Sequence, residues 1–445
     1  MPLKPAFEPE IYQQRRAEVL RRMREMAPNG ATAVFPGMPV AIRNSDVEHA
    51  YRADSDVAFL TGFEEQESVA VLSTAGDKAF TLFVRPRDKE RETWNGRRAG
   101  VEGAVQSFKA DQAFDIGKIE TELPKLVGNS RTLFYCLGGD DPRFDTGIAQ
   151  LLKALRARAR AGVIAPTRIE DPGPIVHELR MHKDQRELAA MRKAVELTRN
   201  GHLAVMKAGR AGAYEYDLHG LLEHEFRKQG GRGWGYYPIV AAGENATVLH
   251  YTENNVKIAG GDLVLIDAGA EVDLYTADVT RTFPASGRFS AAQRGVYEAV
   301  LAAADRCIGL TRPGVSIDEL HEEAVRTLTA GMVKLGLLQG DVEALMRDGS
   351  FRRFYMHRTS HYLGLDVHDV GNYRSDDGKP RPLAPGMVFT IEPGLYIAGD
   401  DTSVAPEFRG IGVRIEDDIL VTDSGCENLT AAIPRTVADV EAACA

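Results

Sequence analysis

Apolar positions fall at helical spacing in a few long stretches of the chain and alternate with polar ones in many short stretches. From about Glu10 to Met26 the spacing predicts a helix, and the short runs SVAVLST and AFTLFVR, the latter ended by Pro86, predict strands. A mixed α/β segment follows to about Ala165. The stretch APTRIEDPGPIVHELRMHKDQRE then brings three prolines and a change of texture, which places a domain boundary near Asp171. Residues 1–171 are expected to form a smaller mixed α/β domain and residues 172–445 a larger one.

Beyond that boundary the pattern runs twice. DQRELAAMRKAVELTRNGHLAVMKAG predicts one long amphipathic helix, and EYDLHGLLEHEFRKQGG a second with a glycine stop. SAAQRGVYEAVLAAADRCIGLTRPG predicts another long helix opened by a serine cap, and SIDELHEEAVRTL its companion. The junctions match as well, aligning Asp217, Leu218 and His219 with Glu319, Leu320 and His321. The repeated order predicts two pseudo-symmetric α+β halves, each with helices over antiparallel strands. A cleft between such halves is a natural active site.

At 445 residues, 44% hydrophobic and 27% charged, the composition is that of an ordinary globular protein with length enough for two domains. A net charge of -10 argues against nucleic acid or an anionic membrane as the main partner. No apolar run approaches the ~20 residues of a spanning helix, and the start lacks a secretory apolar region, so a cytoplasmic location is expected. Cys136, Cys307, Cys426 and Cys444 are scattered without a CxxC pair and read as reduced, structural thiols.

The chemistry-bearing residues are acids in apolar surroundings. GDLVLIDAGAEVDLYTADVTRTFPAS reads as a β-hairpin, with Asp267 and Asp278 equidistant from a centre between Val272 and Asp273. Facing each other across the strands, their Cβ atoms would be ~5 Å apart, and like charges so placed destabilise unless a cation lies between them. One exposed aspartate and one turn-capping aspartate is the plainer alternative. Glu392 ends the apolar strand in GMVFTIEPGLYI, and Glu416 lies within GVRIEDDILVT, flanked by Ile415 and Ile419. A buried glutamate needs a partner, and Arg414, two residues away on the same face, offers Glu416 a simple salt bridge. HRTSHYLGLDVHDVG places His357, His361 and His368 close together; its glycines and apolar run fit strand and loop, and Arg358 stands where an HExxH zinc protease needs glutamate. Asp267, Asp278, His361, Glu392 and Glu416 together make four hard oxygen ligands and one imidazole, a set suited to two cations with shared carboxylates. Such ligation favours manganese, cobalt or magnesium over structural zinc.

These residues resemble the creatinase-like, pita-bread metallopeptidases, and among them the aminopeptidase P (Xaa-Pro aminopeptidase) subfamily. The resemblance runs through GENATVLHYTEN, LIDAGAEVDLYTADVTRTFP, SHYLGLDVHDVG, IEPGLY and GVRIEDDI, and through RNSDVEHAYRADSDVAFLTGF and WNGRR in the amino-terminal part. It implies a pita-bread catalytic domain behind a creatinase-type amino-terminal domain. It also implies that Asp278 and Glu416 bridge two metal ions, that Asp267 completes one ion, and that His361 with Glu392 completes the other. His250, His357 and His368 would line the substrate site, supported by Tyr396 and Arg414. The implied reaction releases the first residue of peptides with proline second, using a hydroxide bridging two divalent ions, manganese first among cobalt, magnesium and zinc. Glu392 would shuttle the proton, His368 would polarise the carbonyl and His250 would contact the proline side. Trp94 would reach a neighbouring subunit's site within a homo-oligomer, a tetramer or a dimer. Prolidase, which takes only dipeptides, and a non-catalytic binding protein on the same fold are the alternatives. His182, His202 and His224 match no motif.

Overall fold

The computed structural model describes residues 4–139 and 141–445. The chain divides into two compact units, Met1–Arg180 and Met181–Ala445. The prolines at 166–174 lead into the helix Gly173–Met181 at the end of the first unit. Among the described residues no helix is long and apolar enough to cross a membrane.

The first unit opens with the helix Pro9–Met26, and its apolar runs become Val69–Ser73 and Phe80–Val84. These join a six-stranded sheet ordered Gln112–Asp115, Phe80–Val84, Val69–Ser73, Ala31–Pro36, Thr132–Phe134 and Arg168–Glu170. Ala31–Pro36 is antiparallel to Val69–Ser73 and parallel to Thr132–Phe134, so the sheet is mixed. Val34, Val71 and Phe83 of the sheet pack against Leu151, Leu152 and Leu155 of the helix Pro142–Ala157. Leu20, Met23, Phe59, Phe63, Leu72 and Leu82, outside this cluster, are buried as well.

The second unit repeats a helix pair over antiparallel strands. The helix Gln185–Ala208 packs on Glu215–Lys228, and Ala291–Leu310 packs on Ile317–Lys334. Ser290 and Gln293 cap one helix reciprocally and Ser316 and Glu319 another, satisfying amides that the first turn leaves unpaired. The first half carries the strands Ile239–Ala242, Leu263–Asp267 and Thr280–Pro284. The second carries Val388–Ile391, Asp417–Val421 and Cys426–Asn428, beside the ribbon of Gly394–Ile397 with Ile411–Arg414. One apolar cluster joins the halves, from Leu197 and Phe226 through Val264, Ile266 and Phe283 to Val300, Leu328 and Val413. Each of the matched histidines uses Nδ1 in a side-chain hydrogen bond: His219 Nδ1 meets Asn254 Nδ2 at 3.2 Å, and His321 Nδ1 meets Thr359 Oγ1 at 2.8 Å.

The hairpin forms with a different register from the one its sequence symmetry suggests. Asp267 pairs with Thr280, and Val272 with Tyr275, so the turn is centred between Asp273 and Leu274. Both turn residues have positive φ, 51° and 71°, as a two-residue turn matched to strand twist requires. Asp267 and Asp278 therefore do not face each other squarely. Asp278 falls opposite Gly269, one diagonal step away on the same face. There the strands approach so closely that a Cβ on Gly269 would stand 1.7 Å from the Ala277 carbonyl oxygen.

Candidate metal centre and peptide cleft

Short backbone bonds bring the acids together. Asp267 ends its strand, and Glu392 follows the strand Val388–Ile391 directly, with its amide donating to the Thr359 carbonyl at 2.8 Å. Thr390 donates to the His361 carbonyl at 2.9 Å, which ties the histidine loop to the same strand. Glu416 does not lie inside a strand as its apolar flanks suggest. The strand Ile411–Arg414 ends before it and Asp417–Val421 begins after it, and the Glu416 amide donates to the Thr280 carbonyl at 3.1 Å. This break turns its side chain toward Asp278.

Asp278, His361 and Glu416 each offer a ligand atom within 4.8 Å of the others. His361 Nε2 stands 3.3 Å from Asp278 Oδ2 and 3.6 Å from Glu392 Oε1. Its Nδ1 lies 3.0 Å from the Tyr362 carbonyl, to which it donates, leaving the Nε2 lone pair for a metal. Asp267 stands beside this group. Its Oδ1 accepts from the Tyr236 hydroxyl at 2.6 Å and its Oδ2 from Arg414 Nη2 at 2.6 Å. The Arg414–Glu416 salt bridge is thus replaced by an Arg414–Asp267 one, and Glu416 Oε2 accepts from the Thr280 hydroxyl at 2.7 Å instead. Each Asp267 oxygen keeps a second lone pair.

Electrostatics mark the set as short of positive charge. Burial pushes the Glu392 carboxyl up to about 7 against the pull of His361 and Arg414. Burial, then Asp278, drives Glu416 well above the usual carboxylate range, and burial raises Asp278 despite its bond to His361. Burial alone would lower His361, but Asp278 and Glu392 outweigh it and lift the imidazole to about 9. Buried carboxylates that repel one another, and an imidazole whose Nε2 faces them and exchanges its proton for a metal, fit divalent cations.

Asp267, Asp278, His361, Glu392 and Glu416 all line one cleft of about 790 Å³, together with His250, His357, His368 and Arg414. His368 stacks edge-on against His361, with ring centres 4.4 Å apart. His357 Nδ1 donates to the Arg358 carbonyl at 2.7 Å, so its Nε2 accepts from the Tyr396 hydroxyl at 2.9 Å; that hydroxyl accepts in turn from Arg414 Nη1 at 3.0 Å. Burial, then Arg414, lowers His357 to about 4. Trp94 belongs to the first unit, on the helix Lys89–Asn95, and is 82% exposed.

Three contributors escaped the sequence reading. Tyr236 lies in a WGYYP stretch with no distinguishing signal. Thr280 looks like any strand threonine. Asp418, whose carboxylate accepts from the Asp278 amide at 3.2 Å, was visible only as one acid in the run after Ile415. Of the unassigned histidines, His202 is fully buried and its Nε2 donates to the Ala268 carbonyl at 3.0 Å, while His182 Nδ1 meets the Pro385 carbonyl at 3.0 Å.

Comparison with known proteins accords with this geometry. Residues 189–423 match the model of metallopeptidase family M24, and residues 12–135 match the aminopeptidase P amino-terminal domain. The Xaa-Pro aminopeptidase of Escherichia coli K12 is 43% identical over 431 residues, 96% of each chain. The solved structure of Pseudomonas aeruginosa aminopeptidase PepP superposes with a TM-score of 0.95 at 46% identity, covering 98% of both chains. A zinc-substituted Escherichia coli aminopeptidase P in complex with product gives 0.93 at 41%, again covering 98% of each. With an M24 model across its acid-lined second unit and full-length relatives well above 30% identity, the chain belongs to metallopeptidase family M24 and carries the aminopeptidase P amino-terminal domain.

Proposed function

We propose that the chain is a cytoplasmic Xaa-Pro aminopeptidase, with residues 172–445 carrying the chemistry and residues 1–171 forming the amino-terminal domain. The observation that carries this reading is the convergence of Asp278, His361 and Glu416 within 4.8 Å in the lining of the cleft. Asp278 and Glu416 would be shared between two divalent ions, Asp267 would complete one, and His361 with Glu392 the other. Manganese is the first candidate, with cobalt, magnesium and zinc behind it. When bound, the ions supply Lewis-acid activation of water and of the scissile carbonyl.

The chain's own groups do the rest. Glu392, a carboxylate lining the cleft beside His361 and Asp278, can accept a proton from the attacking water and return it to the proline nitrogen. His368 donates to the scissile carbonyl oxygen, which gains negative charge in the transition state. His250 and His357 contact the peptide on the proline side, and Tyr396 with Arg414 holds His357 in its neutral form. An Xaa-Pro bond carries no N–H, so this side needs room for a ring and no acceptor. Trp94, largely exposed, is the residue a neighbouring subunit would cover in a homo-oligomer.

The full-length aminopeptidase relatives support this reading over prolidase, and the complete ligand set supports it over a non-catalytic binding protein. Product analysis with Xaa-Pro dipeptides and Xaa-Pro-Yaa tripeptides, with and without manganese, tests it. Release of the first residue from tripeptides, lost on chelation and restored by manganese, is expected. Cleavage of dipeptides alone would mean prolidase.

A further inference from the structure

The cleft has a basic end that the metal chemistry does not use. Arg358, Arg374 and Asp318 line it together with the metal-ligand residues. Arg358 Nη2 bonds Asp318 Oδ1, and Arg374 Nη2 reaches Asp318 Oδ2 at 2.8 Å, so one carboxylate holds two guanidinium groups side by side. The trio carries one net positive charge. Each guanidinium spends one terminal nitrogen on Asp318, a bond that leaves most of its five N–H donors unused. The arginine side chains are 58% and 57% exposed. Ion pairs this open add little stability, so stability does not explain the arrangement.

We infer that Arg358 and Arg374, braced by Asp318, form a carboxylate-binding subsite that receives the carboxy-terminus of a tripeptide held with its amine at the metal end. The inference rests on the reading of the chain as an Xaa-Pro aminopeptidase. Chain connectivity sets the scale: Arg358 lies three residues from His361, at most about 11 Å of backbone, and an extended tripeptide spans about the same length. The acids and the two arginines line the same cleft, and it is the arginines that carry charge of the sign a substrate carboxylate needs. A guanidinium pair is also the donor geometry that matches a carboxylate at two oxygens. A longer peptide would carry its carboxylate past this point, so the subsite favours short peptides.

The test compares an Xaa-Pro-Yaa tripeptide as free acid and as carboxy-terminal amide, using manganese-loaded protein. Roughly tenfold higher kcat/KM for the free acid is expected, the size of one charge-assisted hydrogen bond. In Arg358→Met, Arg374→Met and the double variant that ratio should fall toward one, chiefly through KM. A third peptide, the amide with glutamate as Yaa, separates the two sources of a carboxylate: rescued turnover means that a side-chain carboxylate is received as well as a terminal one. A wild-type ratio of one, or a ratio unchanged in the double variant, overturns the subsite and leaves the aminopeptidase reading standing. No turnover of any of these peptides overturns both.

Discussion

Glu416 and Asp417 are consecutive and both buried, yet their carboxyls are driven in opposite directions. Burial would raise Asp417, but Arg281 and Arg435 outweigh it and hold the group below the usual range. Arg281 Nη2 sits 2.7 Å from Asp417 Oδ1, with neither side chain exposed, and the Thr430 hydroxyl donates to the same oxygen at 2.7 Å. One residue earlier, the chain turns the other way. Glu416 meets Asp278 across the hairpin, and burial, then that neighbour, raises it. Asp417 is paired directly with Arg281, whereas Arg414, the arginine that pulls on Glu416, is bonded to Asp267 and leaves Glu416 among other acids. Of two buried acids, the one without a directly paired arginine is the one poised for chemistry.

Exchanging the two acids for amides should break this contrast most visibly. Glu416→Gln is expected to lose bound metal and turnover, beyond the roughly 10–100-fold that a mere supporting residue costs, while its metal-free form unfolds no more easily than wild type because a repulsion has gone. Asp417→Asn should keep its metal but strand the Arg281 charge, costing about 3–5 kcal/mol in urea unfolding. Elemental analysis beside urea midpoints decides, and metal loss from Asp417→Asn with retention in Glu416→Gln would reverse the assignment. Within the cluster, Asp278→Asn should lose both ions, whereas His361→Ala should mainly weaken one; equal losses would remove the division into shared and single ligands. His368→Ala should lower turnover roughly 10²-fold with metal content intact. Normal turnover in that variant would make His368 a packing residue.

The smallest effect concerns a third kind of buried group, one that stays neutral. Burial lowers His202 from 6.5 to about 4, and among the described residues its Nδ1 has no hydrogen-bond partner. The unfolded chain protonates first as pH falls, so this contribution is complete above about 6.5 and is lost between 6.5 and 4. The slope is at most about 1.4 kcal/mol per pH unit. His202→Met should flatten the pH dependence of the urea midpoint by one proton in that window. An unchanged slope would assign the dependence to other groups.

Helices and their caps were legible because 3.6-residue spacing and Ser-x-x-Gln/Glu boxes are local signals. The ligand set was legible because acids in apolar runs are expensive to bury without a purpose. The hairpin register was not, since Asp273 and Leu274 take positive φ without the Asn-Gly chemistry that announces such a turn. Tertiary packing holds them there: Leu274 is buried, which offsets part of the backbone cost. Glu416 was found, but its strand break was not, because the flanking Ile415 and Ile419 suggest one continuous strand and the Thr280 carbonyl that takes the Glu416 amide lies far away in sequence. Tyr236 and Thr280 act only through partners in space.

Gly269 touches no metal and donates nothing to the cleft, yet it stands where the opposite strand carries Asp278. Any side chain there would collide with the Ala277 carbonyl and push that aspartate out of line. In a saturation scan scored by activity, position 269 should be as intolerant as a ligand. A survey that ranks functional importance by invariance alone would place this glycine among the reacting groups. Its substitution pattern would reveal the difference: at Asp278 a carboxylate of another length can leave a trace of activity, whereas at 269 every replacement fails alike, whatever its charge.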